Sequence, residues 1–498
     1  VSIIKITNLS YGYENSSSKI FSDLNLNLDS NWKLGLVGRN GAGKTTFLNL
    51  LRGKLTATGQ ITSKNNFSYF PLHIENENEL AIYELQKEIN VEQWELEREM
   101  NLLDLDSSHL WQPYNTLSGG EKTKLLLAAS FADYNNFPLI DEPTNHLDEN
   151  SRLEIAQYLK NSKSGYIVVS HDRDFLNQVT DHILAIENTE IHLYQGNYAS
   201  YEDTKEKRDA FNQNKNIKLQ KEISDLTKSA QRIKGYSEKS EKQKSAANHK
   251  NEINVNIDRG FVSHKAAKIM KKSKNIERRI NKNIDSKMGL LQNIEQAPKL
   301  TMNFLPDYHH ELINLQKFGI KFDDGTNLFD NLNLSISNKE ILALQGKNGS
   351  GKTTLVNYLL SKNQQIQTSG KVVIQSGLKI SYLPQNFTEY HGNLKDFAHK
   401  QKISYEELLN NLRKMGFKRE TFNVAIEEMS MGQQKRVAIA KSLAEEANLY
   451  IWDEPANYLD IYNQNQLIEL LKTIKPAMLL IEHDKHFIDQ VADEKISL

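Results

Sequence analysis

One eight-residue pattern is written twice in this chain, and that repetition constrains the fold more than any other feature. Residues 38–45 read GRNGAGKT and residues 346–353 read GKNGSGKT. Three further motifs follow each copy in the same order. LSGGE (117–121) returns as MSMGQ (429–433), IDEPTNHLD (140–148) as WDEPANYLD (452–460), and VSHD (169–172) as IEHD (481–484). Lys44 and Lys352 lie 308 residues apart. Ser118 and Ser430, Glu142 and Glu454, and His171 and His483 each lie 312 apart. Four motifs in one order at nearly one offset identify a tandem duplication.

The 498 residues exceed what one core accommodates, which agrees with several domains. Hydrophobic residues make up 38% and charged residues 25%, as in globular proteins. No run reaches the roughly eighteen apolar residues of a membrane helix; the most apolar runs, 165–170 and 478–481, are strand-sized. With no basic segment leading into an apolar one near residue 1, and no cysteine anywhere, the expected compartment is the cytoplasm. The absent thiols also exclude disulfides, thiolate zinc sites and cysteine-held iron–sulfur clusters. The net charge of −1 conceals an asymmetry. Residues 201–290 hold 23 Lys and Arg against 12 Asp and Glu, a surplus of +11 that leaves −12 on the remainder. A basic segment of that size points to a polyanionic partner.

Residues 34–37 read as a buried strand running into the first glycine loop, and 44–51 as a helix with apolar Phe47, Leu48 and Leu51. Residues 137–140 and 166–169 read as further core strands, each ending in a charged residue, where open α/β sheets place ligands. Residues 71–117 read as a small helical subdomain. In each loop, backbone N–H groups would wrap phosphates: those of Gly38, Arg39, Asn40, Gly41, Ala42 and Gly43, and those of Gly346, Lys347, Asn348, Gly349, Ser350 and Gly351. Lys44 and Lys352 would reach the β- and γ-phosphates of ATP. Thr45 and Thr353 would offer hydroxyls to Mg²⁺, and Thr46 and Thr354 complete each run. Asp141 and Asp453 fit the metal-organising carboxylate, and Glu142 and Glu454 are placed to polarise an attacking water. A single such loop is also compatible with a bland glycine-rich turn, and a lone strand-end acid with a solvated one; the repeated constellation is not.

Ser118, Gly119, Gly120 and Glu121, with Ser430, Met431, Gly432 and Gln433, resemble the signature of ABC ATPases. His171 and His483 resemble their switch histidine, and Tyr13 and Phe322 the aromatic that stacks on adenine. The resemblance implies an α/β fold: two tandem ABC-type P-loop nucleotide-binding domains that meet head to tail, so that a monomer sandwiches two ATP molecules. Site one would pair Lys44 with Ser430 and Gly432, and site two Lys352 with Ser118 and Gly120. Two departures stand out. Gln385 fits the family's metal-sensing glutamine, but its counterpart is Leu72, and Met431 stands where glycine is common. Both glutamates are present, so hydrolysis is expected at both sites, slower at the first.

The duplication sets domain boundaries at 1–200 and 299–498, with a linker at 201–298. Leu219, Ile223, Leu226, Ala230 and Ile233 step by 4, 3, 4 and 3, a heptad seam. Gly235 is expected to end that helix. A polar tip is expected over 236–260, then a return helix over 261–296 with Val262, Ala266, Ile269, Ile276 and Ile280 on one face. The linker thus reads as a long antiparallel α-helical hairpin with arms of roughly 50 Å. Lys265, Lys268, Lys271, Lys272, Lys274, Arg278, Arg279 and Lys282 crowd the return arm. A solvated helix usually carries mixed charge; this surplus points to RNA, bound through phosphates and shape rather than base sequence.

Two such domains around a basic helical linker, entered through YQGNY (194–198), resemble the ABC-F family of ribosome-associated ATPases over the whole chain. The segments NWKLGLVGRNGAGKTT, FPLIDEPTNHLD, MSMGQ, YIWDEP and KPAMLLIEHD are similar to those of its Lsa and Vga-like antibiotic-resistance members. The resemblance implies binding to the 70S ribosome at the E site, with contacts to 23S rRNA. The hairpin would displace the P-site tRNA and dislodge lincosamides, streptogramin A or pleuromutilins from the peptidyl-transferase centre, and ATP hydrolysis would drive release. No membrane and no DNA partner is implied. The alternatives are a housekeeping ABC-F factor rescuing stalled ribosomes and, further off, the ATPase subunit of a transporter, which would leave the basic hairpin without a purpose.

Overall fold

The computed structural model describes residues 2–13, 19–145, 147–187, 189–249, 259–290, 298–322, 327–347, 349–361, 366–387 and 389–498. By its contacts the chain divides into two compact units: Val1–Tyr201 with Ala297–Leu498, and Glu202–Gln296.

The first unit contains the duplication as two α/β halves. In the first half the strands Asn66–Phe70, Asn136–Asp141, Tyr166–Val169, Lys33–Val37 and His182–Glu187 lie side by side and parallel, with Glu190–Gln195 antiparallel at the edge. In the second half Ile380–Leu383, Leu449–Asp453, Met478–Ile481, Ile341–Gln345 and Glu494–Ser497 form the matching parallel sheet. Each half adds a three-stranded antiparallel sheet: Ile3–Tyr11, Phe21–Asp29 and Thr58–Thr62, and their counterparts Glu311–Phe322, Asn327–Ser337 and Ile366–Ile374.

The parallel strands are apolar at successive positions because both faces are covered. Their side chains alternate between two cores. Leu34, Leu36, Phe137, Leu139, Ile167 and Val169 pack with the helix Lys44–Leu51 and the antiparallel sheet. Val37, Ile140, Tyr166 and Val168 pack with the helices Ala81–Glu88, Gln93–Leu102 and Gly119–Phe131. The second half repeats the alternation: Leu449, Ile451, Leu479 and Ile481 face one way, Tyr450, Trp452, Met478 and Leu480 the other. A strand buried on both sides brings charge to the surface only at its ends, and the pairing Asp141 with Val169, and Asp453 with Ile481, sets those ends level.

The second unit is a helical hairpin. Between residues 219 and 233 the shielded positions of the outgoing helix are Leu219, Ile223, Leu226, Ala230 and Ile233, as the heptad spacing predicts. On the return helix Ile280 and Ile284 are partly shielded while Ile276 is exposed, so Ile284 replaces one expected seam residue; the side chains of Val262, Ala266 and Ile269 lie outside the described residues. Lys287 on the return helix pairs with Glu222 on the outgoing one. Lys268, Lys271, Lys272, Lys274, Arg278, Arg279 and Lys282 are all exposed; the side chain of Lys265 lies outside the described residues.

The expected tip needs correction. The outgoing helix spans Tyr198–His249, 52 residues or about 78 Å at 1.5 Å per residue, and passes straight through Gly235. The return helix spans Arg259–Met288, shorter than expected; residues 250–258 and 291–297 lie outside the described ones. Gly235 does not take the positive φ of a helix cap, and nothing lies within 4 Å of where its Cβ would be. A lone glycine costs a helix about 1 kcal/mol, and the good helix formers on either side outweigh it. Gly235→Ala should therefore stabilise the hairpin by about 0.5–1 kcal/mol, read as slower amide exchange around residues 226–242. A glycine acting as a left-handed cap would give faster exchange instead.

Candidate functional site

Both glycine loops leave the C-terminal end of a central parallel strand and turn into a helix. Gly43 and Gly351 stand immediately before those helices with φ of 108° and 96°. A Cβ on Gly43 would come within 2.5 Å of Ile20, so the turn needs glycine there. Neither helix, Lys44–Leu51 nor Lys352–Leu359, has a side-chain cap, so its first N–H groups are available to an anion. Lys44 is buried, and its Nζ donates to Gly38 O at 2.8 Å and lies 3.3 Å from Asn40 Oδ1. Lys352 Nζ donates to Gly346 O at 2.7 Å and Lys347 O at 2.9 Å. Burial pulls both ammonium groups below their ordinary pKa, against the nearby carboxylates that hold it up. Two phosphate-sized cradles result, each with a curled lysine.

The acidic residues close the other side. Thr45 Oγ1 and Tyr69 Oη each donate to Asp141 Oδ2 at 3.1 Å. Asp453 is buried with its Oδ2 lacking a hydrogen-bond partner, and burial together with Glu454 pushes its pKa up to about 7. That orphaned oxygen in the cleft of Thr353 and Gln385 suits a hard divalent cation. No cluster of three or more acidic or histidine side chains capable of holding a metal occurs among the described residues, as expected where Mg²⁺ takes most of its oxygens from phosphates and water. Glu142 and Glu454 both adopt left-handed backbone, φ 53° and 49°, while their N–H groups bond Val169 O at 2.9 Å and Ile481 O at 2.8 Å. A left-handed residue at the same point of both halves is strain held at a working position. Burial and Asp141 raise the pKa of Glu142. His171 Nε2 is 3.2 Å from Glu142 Oε1, and His483 Nε2 is 3.9 Å from Glu454 Oε1. Glu142 Oε1 and His483 Nε2 are nonetheless buried without a hydrogen bond, so each pair is close but not aligned.

Each cleft takes residues from both halves. The first, about 420 Å³, sets Asn40, Gly41, Glu142 and His171 opposite Ser430, Gly432, Gln433 and Tyr458. Asn40 N donates to Asp460 Oδ2 at 2.6 Å, and the Arg39 guanidinium stacks 3.8 Å over the Tyr462 ring. The second cleft, about 440 Å³, gathers Phe322, Gly349, Gly351, Lys352, Thr353, Thr354, Gln385, Asp453, Glu454 and His483. There the first half contributes Leu147 and Arg152, and the expected Ser118 and Gly120 do not line it. A separate cavity of about 240 Å³ lies between Gly346 and Lys347 on one side and Asp148 and Asn150, the counterparts of Asp460 and Tyr462, on the other. The first cleft thus sets Asn40 and Gly41 of one glycine loop opposite Ser430 and Gly432 of the other half, as the first expected pairing requires, although Lys44 itself does not line it.

Ser118 and Ser430 cap the helices Gly119–Phe131 and Met431–Ala444, reciprocally with Glu121 and Gln433. Gly119 and Met431 are exposed. Tyr13 is exposed, its Oη 3.1 Å from Thr46 Oγ1 and its ring edge-on to Tyr11. Leu72 packs against the helical core. Ala42 packs on the other core and Ser350 Oγ is buried; Asn348 lies outside the described residues. Sequence reasoning missed Tyr69, Arg152, Tyr458 and Asp460. Only Asp460 carried a signal, as the closing residue of a repeated motif.

Burial, with Lys44 adding to it, holds the His171 pKa well below its ordinary 6.5, so the folded ring is neutral where the unfolded chain begins to bind a proton. The stability this histidine contributes is full above pH 6.5 and falls as pH drops below it. The stability difference between wild type and His171→Gln should therefore shift against wild type by about 1 kcal/mol between pH 7 and 5.5, measured by denaturant unfolding. A difference flat over that range would mean the ring titrates normally.

The ABC transporter family profile matches residues 21–145 and 329–457. The ribosome protection protein VmlR of Bacillus subtilis is 30% identical over 503 residues, covering 99% of this chain and 86% of that protein. The erythromycin resistance ATP-binding protein MsrA of Staphylococcus epidermidis is 27% identical, covering 94% and 92%. Among solved structures, the archaeal ribosome recycling factor aABCE1, in complex with the archaeal ribosomal stalk protein aP1, is alike in fold at 20% identity, with a TM-score of 0.63 over 98% of this chain and 87% of that one. No described helix is long and apolar enough to cross a membrane. With two matched ABC halves joined by a helical hairpin, the chain is an ATP hydrolase of the ABC family and belongs to its tandem-domain ABC-F branch.

Proposed function

We propose that this ATPase is a ribosome protection factor of the antibiotic-resistance type. In its ATP-closed form it occupies the E site of the 70S ribosome, and its hairpin displaces the P-site tRNA. That displacement dislodges lincosamide, streptogramin A or pleuromutilin drugs from the peptidyl-transferase centre, and hydrolysis lets the protein leave. The observation that carries this reading is the basic helical hairpin between two ABC halves that have no described membrane-crossing helix. The exposed lysines and arginines of the return helix supply the charge that RNA phosphates require. The likeness to VmlR, a ribosome protection protein, and to MsrA, an erythromycin resistance protein, supports it. In this reading residues 1–200 and 299–498 are the nucleotide-binding domains and 201–298 the linker, working as a monomer in the cytoplasm.

Chemically, Lys44 and Lys352 trade their carbonyl partners for ATP phosphates, and the helix N-termini hold the remaining anionic oxygens. Tyr13 and Phe322 take the adenine rings. Thr45 with Asp141, and Thr353 with Asp453 and Gln385, would hold Mg²⁺, which would neutralise phosphate charge there. Glu142 and Glu454 orient the attacking water, and neutral His171 and His483 each donate a ring N–H to the γ-phosphate. Ser430 and Gly432 complete the first site, and Ser118 and Gly120 complete the second once the cavity beside Lys347 closes.

The Glu142→Gln, Glu454→Gln double variant, expressed with a tag, should bind ATP without hydrolysing it and co-pellet with 70S ribosomes at least tenfold over wild type. Wild type should raise lincosamide tolerance. Recovery with membranes instead would favour the transporter-subunit alternative, and ribosome binding without drug protection a housekeeping factor.

A further inference from the structure

The two switch-histidine segments occupy equivalent places but are held by different chemistry. In the first half Ser170 precedes His171. Its Oγ lies 3.0 Å from Thr144 Oγ1 and accepts the Asp172 N–H at 3.1 Å. In the second half the same place is taken by Glu482, only 2% exposed. Glu482 Oε1 accepts the N–H groups of His483 at 2.7 Å and Asp484 at 3.1 Å, while Oε2 accepts the Ala456 N–H at 2.9 Å. One carboxylate therefore ties the switch segment to the turn that starts at Glu454. Lys435, 1% exposed, is a buried cation of the same half that donates to Asp453 O at 3.4 Å, where the first half has Thr123.

The same segment is gripped from across the molecule. Arg152 Nη1, in the first half, donates to His483 O at 3.2 Å and lies 2.8 Å from Asp172 Oδ2. Its counterpart Gln464 turns inward, donating to Ala456 O and Leu459 O of its own half.

We propose that Glu482 and Arg152 are positioning residues for the second ATP site: between them they fix the backbone of His483, and because Arg152 comes from the first half, that fixation exists only when the halves are joined. The inference rests on the reading that Glu454 and His483 serve that site. Bonds from charged groups to buried backbone are stronger than bonds from hydroxyls, and losing one leaves a buried N–H or C=O unsatisfied. His483 is accordingly held to a geometry that His171, beside a serine, does not share. A displaced histidine costs rate rather than nucleotide affinity. Arg152 also touches Asp172, beside His171, so it joins the switch segments of both sites.

The test isolates each site: Glu142→Gln leaves only second-site hydrolysis, Glu454→Gln only first-site hydrolysis. Into each we would place Arg152→Gln, copying the second half, and separately Lys435→Thr with Glu482→Ser, copying the first half without stranding a buried lysine. In the Glu142→Gln background each should lower kcat about tenfold and leave the KM for ATP within about twofold. In the Glu454→Gln background the Lys435→Thr, Glu482→Ser pair should leave kcat unchanged, and Arg152→Gln, which also loses its pairing with Asp172, should lower it clearly less than in the Glu142→Gln background. Equal loss in both backgrounds, no loss in either, or a change in KM alone would overturn the proposal. Thermal unfolding identifies a variant that fails to fold, and Arg152→Gln, at a partly exposed position, then decides the question. Should the Glu142→Gln, Glu454→Gln pair still hydrolyse ATP, the assignment of the glutamates is wrong and the clamp loses its premise, an outcome separate from the clamp failing alone.

Discussion

Everything functional in this molecule depends on strands that are buried on both faces. Tyr166–Val169 and Met478–Ile481 alternate apolar side chains into two different cores, so no charge is tolerated along them. Polar chemistry is confined to the strand ends, and parallel pairing puts those ends at one edge. The glycine loop, the aspartate–glutamate pair and the switch histidine arrive at that edge from three neighbouring strands. Their mutual distances are set by ladder register rather than by loops. The left-handed φ of Glu142 and Glu454 is where the backbone turns out of that register, and the N–H bonds to Val169 and Ile481 hold it there.

One half gives only part of a cleft, and each facing half supplies the rest. At the first site a backbone amide meets a carboxylate, Asn40 to Asp460, and an arginine meets a ring, Arg39 to Tyr462. The equivalent second-site positions, Lys347 with Asp148 and Asn150, line a cavity. Asn150 cannot offer a lysine the flat π face that Tyr462 offers Arg39. At the Arg39–Tyr462 and Lys347–Asn150 positions the two clefts therefore differ through ordinary side-chain substitution.

Most of the fold and the inner part of each site were legible in the sequence, because chemistry leaves little choice there. A turn that a Cβ would block demands glycine, and a strand-end carboxylate beside Thr45 demands an acid. The heptad seam was legible for the same reason, since Leu219, Ile223 and Leu226 repeat at helical spacing. Gly235 misled because a glycine signals a helix end only when the backbone turns left-handed, and local composition cannot show that it does not. Arg152 was invisible: within SRLEIAQYLK an arginine reads as a solvated helix face, and its partner is a backbone oxygen 331 residues away. Glu482 was visible as a departure from the repeat, yet its partners are backbone amides, which no residue type announces. Leu72 illustrates the converse. Read as a missing metal ligand, it also packs into the helical core, so its side chain has a structural task that glutamine would perform less well.

Duplication explains why such differences accumulate where they do. A residue within one half must satisfy only its own core, and the paired cores keep the same apolar alternation. A residue at the seam faces a partner that is free to diverge, so a change on one side alters the site on the other. Arg152 shows the consequence: it lies on a helix of the first half, lines the second cleft, and contacts the switch segments of both. Its counterpart Gln464 became an internal hydrogen-bond donor. The contact therefore runs in one direction only, from the first half to the second site, and nothing equivalent in Gln464 returns it. Two sites built from one repeated sequence are in this way made inequivalent by the few side chains that cross between them.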